Sequence, residues 1–377
     1  MMKILVTGGA GFIGSKLSLE LTKKGHEVTV LDNLSSQIHG EDPTEDSPLY
    51  RSILNKINFI KGDITNREDW ENAIEGQDII VHLAAETGTG QSMYLIEKYT
   101  EVNVSGTAKM LDILVNKPHH VKKVIIASSR AIYGEGKYLH PKLGLVYPKP
   151  RKVEEMKNGD FEVKYSDGQV LEALPTDEES KIHPTSIYGI TKHNQEQMVM
   201  TTCAAIGIEP VSLRFQNVYG EGQSLLNPYT GILSIFSSQI LNGNNINVFE
   251  DGKESRDFIH VDDAVEATIK CIENDEANGE IFNVGTGVST AVTAVAENLR
   301  KFYNKDFDIN VSGQFRLGDI RHNFADISKI KSKLNFQPKI SFEEGMSRFT
   351  TWVLQQNIQD IKFKESLEEM KVKGLLK

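Results

Sequence analysis

Tyr188 and Lys192 stand four positions apart in a stretch that reads as helix, so both side chains emerge on one face. A phenol and an ammonium facing one cleft are a proton-transfer pair. The cation favours the phenolate, which lowers the tyrosine's pKa and makes it a usable general base near neutral pH. Such pairs also arise by chance on helices, so the spacing needs a second signal. One comes earlier, where the strand 124–128 runs into Ser128-Ser129-Arg130-Ala131-Ile132-Tyr133-Gly134. A serine hydroxyl at the carboxyl edge of a parallel sheet can hydrogen-bond a substrate oxygen. The ordinary alternative for a serine there is loop capping.

A third constellation supplies what such a pair would act with. Ile4-Leu5-Val6 is a short apolar run, followed by Gly8, Gly11 and Gly14, then by a helical pattern to Leu21. Strand, glycine turn and helix in this order are the geometry of a dinucleotide site. Gly8 permits the tight turn, Gly11 lets the backbone approach a pyrophosphate, and Gly14 lets helix and strand pack closely. The free N–H groups of the helix start then face the phosphates. The next strand, 27–31, leads into Asp32-Asn33. A carboxylate there accepts hydrogen bonds from ribose hydroxyls and repels a 2′-phosphate, which favours NAD over NADP. Asp-Asn is also a turn former, but its place relative to the glycines favours the ribose role.

The elements that must position these groups alternate, which predicts an α/β fold with a Rossmann-type doubly wound parallel sheet. Strands are expected at 3–6, 27–31, 57–61, 79–83, 124–128 and 209–214, and helices at 13–23, 70–74, 92–114 and 188–205. Residues 37–55 are polar and acidic and read as a surface excursion. A second excursion spans 135–184. Within it, 160–174 reads as a hairpin, with Phe161, Val163 and Tyr165 alternating before Ser166-Asp167-Gly168. The division expected is an NAD-binding domain over 1–217 and a smaller mixed α/β substrate-binding domain over 218–352. Segment 257–286 is expected to pack back on the first domain. The tail 353–377 reads as an amphipathic helix or a loose end, with no chemistry assigned.

Composition narrows the class. The 377 residues carry a net charge of −10, which argues against general affinity for nucleic acid or anionic membrane. An anionic ligand therefore needs a local basic pocket. Cys203 and Cys271 lack metal-ligand spacing and read as reduced thiols of a cytoplasmic protein, with no metal expected. A strand within three residues of Met1 leaves no room for a signal peptide, and no apolar run reaches the ~20 residues of a membrane span.

Ordered motifs from Lys3 to Trp352 resemble the extended short-chain dehydrogenase/reductases that act on nucleotide sugars, the NAD-dependent epimerase/dehydratase family. They are the glycine turn, Gly62-Asp63-Ile64, His82-Leu83-Ala84-Ala85, Asn103-Val104-Ser105-Gly106-Thr107, Ser128-Ser129 with Tyr133-Gly134, and Tyr188 with Lys192. Further on come Arg214 to Gly220, Arg256-Asp257-Phe258-Ile259-His260-Val261-Asp262-Asp263 and Phe282-Asn283-Val284-Gly285. The resemblance implies that Tyr188 is the catalytic base, that Lys192 orients it and contacts the nicotinamide ribose, and that Ser129 is the catalytic hydroxyl. It implies a cofactor cleft built from Gly8, Gly11, Phe12, Ile13, Gly14, Asp32, Asn33, Asp63, Ile64, Leu83, Ala84, Ala85 and Asn103. It gives the substrate Thr87, Ser129, Asn217, Phe249, Arg256 and Arg316, with arginine forks suited to a diphosphate. Arg256 and Arg316 in surface salt bridges would be the ordinary reading without the motifs. The resemblance also implies a homodimer whose helices 92–114 and 188–205 pair across a two-fold axis, with Met93, Ile96, Met110 and Leu111 against Met198, Val199 and Thr202.

One departure bears on the reaction. The family's 4,6-dehydratases carry an Asp-Glu pair just after the catalytic hydroxyl, whereas this chain has Arg130 and Ala131. Neither transfers a proton as a carboxyl group does, so epimerisation at C4 through a 4-keto sugar is favoured over loss of water. The rivals are a dehydratase, a 4-keto-sugar reductase and, outside enzymes, a cofactor-sensing binding protein. The last predicts a broken site, yet Ser129, Tyr188 and Lys192 are all present. Within the family, 85–94, the long insertion before Pro184 and Asn227-Pro228-Tyr229-Thr230-Gly231 look most like dTDP-L-rhamnose 4-epimerases, which implies a dTDP-6-deoxyhexose. Arg130 replaces a small residue common there in 4-epimerases.

Overall fold

Short β-branched and aliphatic runs form the strands of one large sheet, and the helices between them cover both of its faces. A computed structural model describes the chain except for residues 226, 228, 230 and 357–362. The strands are β1 (Lys3–Thr7), β2 (Glu27–Asp32), β3 (Asn58–Lys61), β4 (Ile79–His82), β5 (Lys123–Ser129), β6 (Glu209–Phe215) and β7 (Ile281–Val284). All pair in parallel, in the order β7-β6-β5-β4-β1-β2-β3. The chain leaves β1 towards β2 on one side and later returns to β4 on the other. The crevice beyond the carboxyl ends of β1 and β4 is thus the switch point where such sheets bind ligands. Six strands stand where the sequence pattern puts them, to within a residue or two at each end; β7 lies in the segment expected to pack back.

Alternation along each strand sorts the core into two layers. Ile4, Val6, Val28, Val30, Ile79, Val81, Ile125 and Val211 pack on one face under α1 (Phe12–Lys23). Leu5, Leu31, Ile80, Val124 and Ile126 face the other side. They meet α2 (Arg67–Ile74), α3 (Gly106–Asn116) and α4 (Ile187–Ala205), with Trp70 fully buried among them. The smaller part has its own core around Phe236, Ile240, Val248, Leu299 and Phe349. These come from α5 (Ile232–Leu241), the strand Ile246–Val248, α7 (Val292–Tyr303) and α8 (Phe342–Val353). Between them, α6 (Val261–Glu273) packs beside α1 against the large sheet. No helix among the described residues is long and apolar enough to cross a membrane.

Two expectations change, and a third narrows to one of its alternatives. The helix expected over 92–114 is broken into Thr89–Ser92, Ile96–Tyr99, a π-helical turn Thr100–Ser105 and α3. The extra residue of a π turn re-aims a side chain, here Asn103, which becomes fully buried. The polar segment 37–55 is not a plain surface loop. Three short helices, Ser36–His39, Pro43–Asp46 and Pro48–Ile53, fold it back on the sheet and bury Ile53 and His39. The tail is not loose at its end. Beyond residues 357–362, which lie outside the described ones, α9 (Phe363–Val372) leads to Leu376, 4% exposed.

The excursion 135–184 holds the expected hairpin. Lys164 bridges Val170, and Leu171 N–H donates to Val163 O at 2.9 Å. Its buried Arg151 grips Glu250 with two bonds of 2.8 Å and donates to Asp319 O at 3.2 Å. The excursion is therefore a buttress of the segments that carry Glu250 and Asp319.

Candidate active site

The β1–α1 turn builds one end of the site. Gly8 has φ +65°, and its N–H donates to Leu31 O at 2.9 Å, which ties the turn to β2. A Cβ on Gly14 would lie 2.2 Å from Gly8 O, so only glycine lets α1 start this close to the strand. Gly11 is the N-cap and no side chain caps the helix, so its first N–H groups are left to a ligand. Asp32, at the end of β2, accepts from Ala10 N–H at 3.0 Å and Leu34 N–H at 2.9 Å. Burial raises its pKa, and these two bonds work against that rise. A carboxylate oxygen accepts more than one bond, so capacity remains for a ribose hydroxyl. A backbone cradle closed by glycines, with this acid beyond it, fits NAD.

The reactive groups converge from β5 and α4. Ser186 caps α4 by accepting from Gly189 N–H at 3.1 Å, and this fixes the helix start that carries Tyr188. Tyr188 and Ser129 line the same cavity. Burial raises the Tyr188 pKa, while the neighbouring Ser129 hydroxyl and the Arg130 charge lower it. Arg130, which the sequence showed only as a missing carboxylate, thus adds a cation beside the phenol. One turn deeper, the buried Lys192 ammonium donates to Gln195 Oε1 at 2.8 Å, and burial pushes its pKa down to about 7. Gln195 in turn donates to Thr107 Oγ1 at 2.8 Å. That hydroxyl lies 3.0 Å from His82 Nε2, whose Nδ1 lies 2.7 Å from Thr7 Oγ1. The motif residues His82 and Thr107 therefore fix where Lys192 points. Burial lowers the His82 pKa to about 3, so this ring is neutral.

At the other end, Phe249 lies under the Arg316 guanidinium, 5.1 Å from carbon to ring centre. Arg316 donates to Asp319 Oδ2 at 2.7 Å and Arg256 to Asp319 Oδ1 at 2.9 Å. These cations hold the Asp319 carboxyl far below the usual range despite its burial. Arg256 spends further donors on the backbone oxygens of Ser255, Ile320 and Arg321. It acts as a clamp on the 319–321 loop as well as a wall of the site. Arg130 bridges the two ends by donating from Nε to Asn217 Oδ1 at 2.9 Å.

The glycine turn, Asp32, Ser129, Arg130, Tyr188, Lys192, Asn217, Phe249, Arg256, Arg316 and Asp319 line one cavity of about 570 Å³, with His82, Thr107 and Gln195 behind its wall. Of the residues expected at the site, Ser129, Tyr188, Lys192, Gly8, Gly11, Phe12, Ile13, Gly14, Asp32, Asn33, Asp63, Ile64, Leu83, Ala84, Ala85, Thr87, Asn217, Phe249, Arg256 and Arg316 line it. Asn103 does not. Its oxygen accepts from Glu86 N–H at 2.8 Å, and its amide donates to Glu86 O at 3.1 Å and Thr191 Oγ1 at 3.0 Å. It is a strut between the 85–89 loop and α4, because the π turn swings it inward. Sequence reasoning missed Gln37, Ile38, His39 and Leu49 from the first excursion, and Arg130, Tyr229, Glu254 and Asp319. The Asp three residues after Arg316 was the legible signal; the rest had none. Of the 227–231 motif, Pro228 and Thr230 lie outside the described residues.

Other motif residues prove to be scaffold. Arg214 grips buried Glu196 at 2.7 Å and donates to Tyr133 OH at 2.7 Å, and Tyr133 donates to Asn283 at 2.8 Å. Glu250, Asp251 and Glu254 bring carboxylate oxygens within 4.8 Å of one another. Arg151 and Arg321 already answer the charges of Glu250 and Asp251.

Comparison with known proteins agrees with this geometry. The sequence profile of the NAD dependent epimerase/dehydratase family matches residues 4–152 and 165–285. The chain is 35% identical over 357 residues to a dTDP-L-rhamnose 4-epimerase of Burkholderia thailandensis, covering 94% of this chain and 95% of the relative. A crystal structure of UDP-glucose 4-epimerase from Thermotoga maritima with UDP-glucose superposes with a TM-score of 0.74 at 28% identity. It covers 94% of this chain and 99% of the other. UDP-glucuronic acid 4-epimerase of Bacillus cereus, in complex with UDP-glucuronic acid and NAD, gives 0.76 at 25% identity and the same coverage.

Proposed function

This chain belongs to the NAD dependent epimerase/dehydratase family, and on that premise we propose that it is a nucleotide-sugar 4-epimerase working through a transient 4-keto sugar. The observation that carries this reading is a single cavity that joins the glycine cradle, the Tyr188–Ser129 pair and the arginines around Asp319. Likeness to the Burkholderia enzyme supports a dTDP-6-deoxyhexose as the sugar nucleotide.

In this reading Tyr188 removes the proton of the C4 hydroxyl, with Ser129 hydrogen-bonded to the same oxygen. Arg130 favours the phenolate electrostatically. Bound NAD, held by the cradle and by Asp32, supplies the hydride acceptor for C4 and the donor on return. Arg316, beside Phe249, holds the diphosphate and base while the flat keto sugar turns over. Tyr188 then returns the proton to the same C4 oxygen, while the other face of C4 receives the returning hydride. Holding one end of the substrate lets the sugar re-present its other face without leaving the site.

The acids around the cavity fit this better than dehydration. Glu86 is paired with Lys98 at 2.8 Å, Glu250 with Arg151, and Asp319 with two arginines, while Glu254 keeps an unpartnered oxygen on the cavity wall. None is a free acid next to Ser129 in the chain, where Arg130 and Ala131 stand.

The test is incubation with a panel of nucleotide sugars, without added NADH. The expected product is an isomer of unchanged mass, with hydrogen retained at the inverted carbon, from protein that releases NAD on denaturation. A product lighter by one water refutes epimerisation in favour of dehydration, and an absolute need for NADH does so in favour of reduction.

We also propose a cytoplasmic homodimer, with a revised contact. Met110, Leu111 and Val199 are buried in the chain's own core and cannot supply it. Ile96, already expected at the contact, is exposed, and the exposed Val115 and Ile190 take the place of the three buried residues. Light scattering that gave a monomer mass at micromolar concentration would remove this proposal.

A further inference from the structure

The tail, to which the sequence assigned no chemistry, touches three separate loops of the substrate end of the cavity. Leu375–Lys377 lie antiparallel to the segment that carries Arg316, which is paired with Leu376. Phe315 N–H donates to Lys377 O at 3.0 Å, Lys377 N–H to Phe315 O at 3.0 Å, and Leu317 N–H to Leu375 O at 2.9 Å. The second contact is at Glu369. Its Oε2 accepts from Tyr94 OH at 3.0 Å and from Tyr229 OH at 3.2 Å. Tyr229 lines the cavity, and Tyr94 ends the loop that begins at Thr87. The third contact is Met370, 4% exposed, packed so closely on Gly90 that a Cβ there would lie 3.3 Å from its sulfur. Lys373 Nζ sits 4.9 Å from the Tyr94 ring centre and closes this corner.

From these contacts we infer that residues 369–377 are a positioning element of the substrate site, holding Arg316 and Tyr229 in place for the nucleotide diphosphate of the sugar nucleotide. The inference rests on the proposed function. The Arg316 side chain is fixed by Phe249 and Asp319, but its backbone needs support of its own. On one side Phe315 packs on Phe161 and Met156 of the excursion. On the other, the backbone groups of Phe315 and Leu317 are satisfied by the tail. Without it their donors and acceptors turn to water, and the segment becomes free to move. A displaced guanidinium fork loses the paired geometry that grips phosphate. The glycine cradle lies on the other side of the crevice and has no contact with the tail in any of these bonds, so NAD binding is independent of it.

The experiment compares the full chain with a variant ending at Gly374. Binding of dTDP and of UDP by calorimetry is read beside KM, kcat, released NAD and melting temperature. Binding of the better nucleotide is expected to weaken about tenfold and KM to rise to match, with kcat within about threefold and NAD content unchanged. Unchanged nucleotide affinity overturns the inference, as does parallel loss of affinity, NAD and melting temperature. Should the truncated chain fail to fold, Glu369→Ala and Glu369→Gln decide. Alanine is expected to weaken nucleotide binding and glutamine, which keeps an acceptor oxygen, to restore most of it. Wild-type binding in both overturns the inference. If the full chain binds nucleotide but turns over no sugar, the proposed function fails while the positioning role is still read from binding.

Discussion

Gly14→Ala tests the cofactor cradle most sharply, because the structure fixes what the added methyl meets. Its Cβ would stand 2.2 Å from Gly8 O, 2.7 Å from Gly9 Cα and 3.0 Å from Gly8 C. All three are backbone atoms of a turn bonded to β2, so no side chain can rotate away. Relief requires α1 to retreat by about 1 Å, since packed carbon and oxygen atoms need well over 3 Å. Overpacking of this kind costs about 1–3 kcal/mol of stability. The effect on NAD is larger. A retreat of about 1 Å stretches a bond from a helix-start N–H to a phosphate beyond hydrogen-bonding distance. Losing one or two charge-assisted bonds at about 1.5–3 kcal/mol each weakens NAD by roughly 10–10⁴-fold.

Gly11→Ala separates the two effects. Its Cβ would meet only Gly8 O, at 3.2 Å, which a shift of a few tenths of an ångström relieves. That methyl points instead at the space the pyrophosphate needs. Gly11→Ala should therefore keep the melting temperature of the cofactor-stripped protein and lose NAD, whereas Gly14→Ala should lose both. The assay is thermal unfolding of stripped protein together with titration of NAD. If Gly14→Ala melts and binds NAD as wild type does, the close approach of helix and turn is not what builds this site.

What the sequence made legible was local and chemically constrained. The glycine turn has few other uses at the end of a strand, and strands flanked by helices leave little choice of sheet. Tyr188 and Lys192 share a helix face at any register of the surrounding fold. The failures were of three physical kinds. Asn103 was placed in the cleft because its stretch has ordinary helical periodicity, and a single π turn redirects it into a strut. The segment 37–55 and the tail are mostly charged and polar, so the few buried anchors, Ile53 and His39 in one and Met370 and Leu376 in the other, are outvoted in any window. The dimer residues were chosen by apolarity, which marks Met110 and Val199 equally well for a neighbour or for their own sheet. Arg130 is the instructive case. Its chemistry was visible as a missing carboxylate, but its role beside Tyr188 and Asn217 needs the third dimension.

Two further predictions follow from named groups. Tyr188→Phe removes one hydroxyl and should cost about 10²–10⁴-fold in turnover with NAD and nucleotide affinity kept; turnover near wild type would refute the assigned base. Glu254 supplies a pH test. Its Oε2 is buried without a hydrogen-bond partner on the cavity wall, and burial, with Glu250 and Asp319 nearby and Arg256 opposing, raises its pKa to about 7 from an ordinary 4.5. Arg321 stands no closer than 4.0 Å. The folded state therefore holds this proton where the unfolded chain has lost it. The stability tied to the protonated form is fully present below pH ~4.5 and is lost as pH rises through ~7. Glu254→Gln keeps the shape without the charge, so its advantage over wild type should be ~1 kcal/mol at pH 5 and reach ~3 kcal/mol at pH 8. Urea unfolding of both proteins at the two pH values reads the difference directly. A gap that is the same at pH 5 and pH 8 would mean that Glu254 is paired in solution and that this end of the cavity is wetter than the structure makes it.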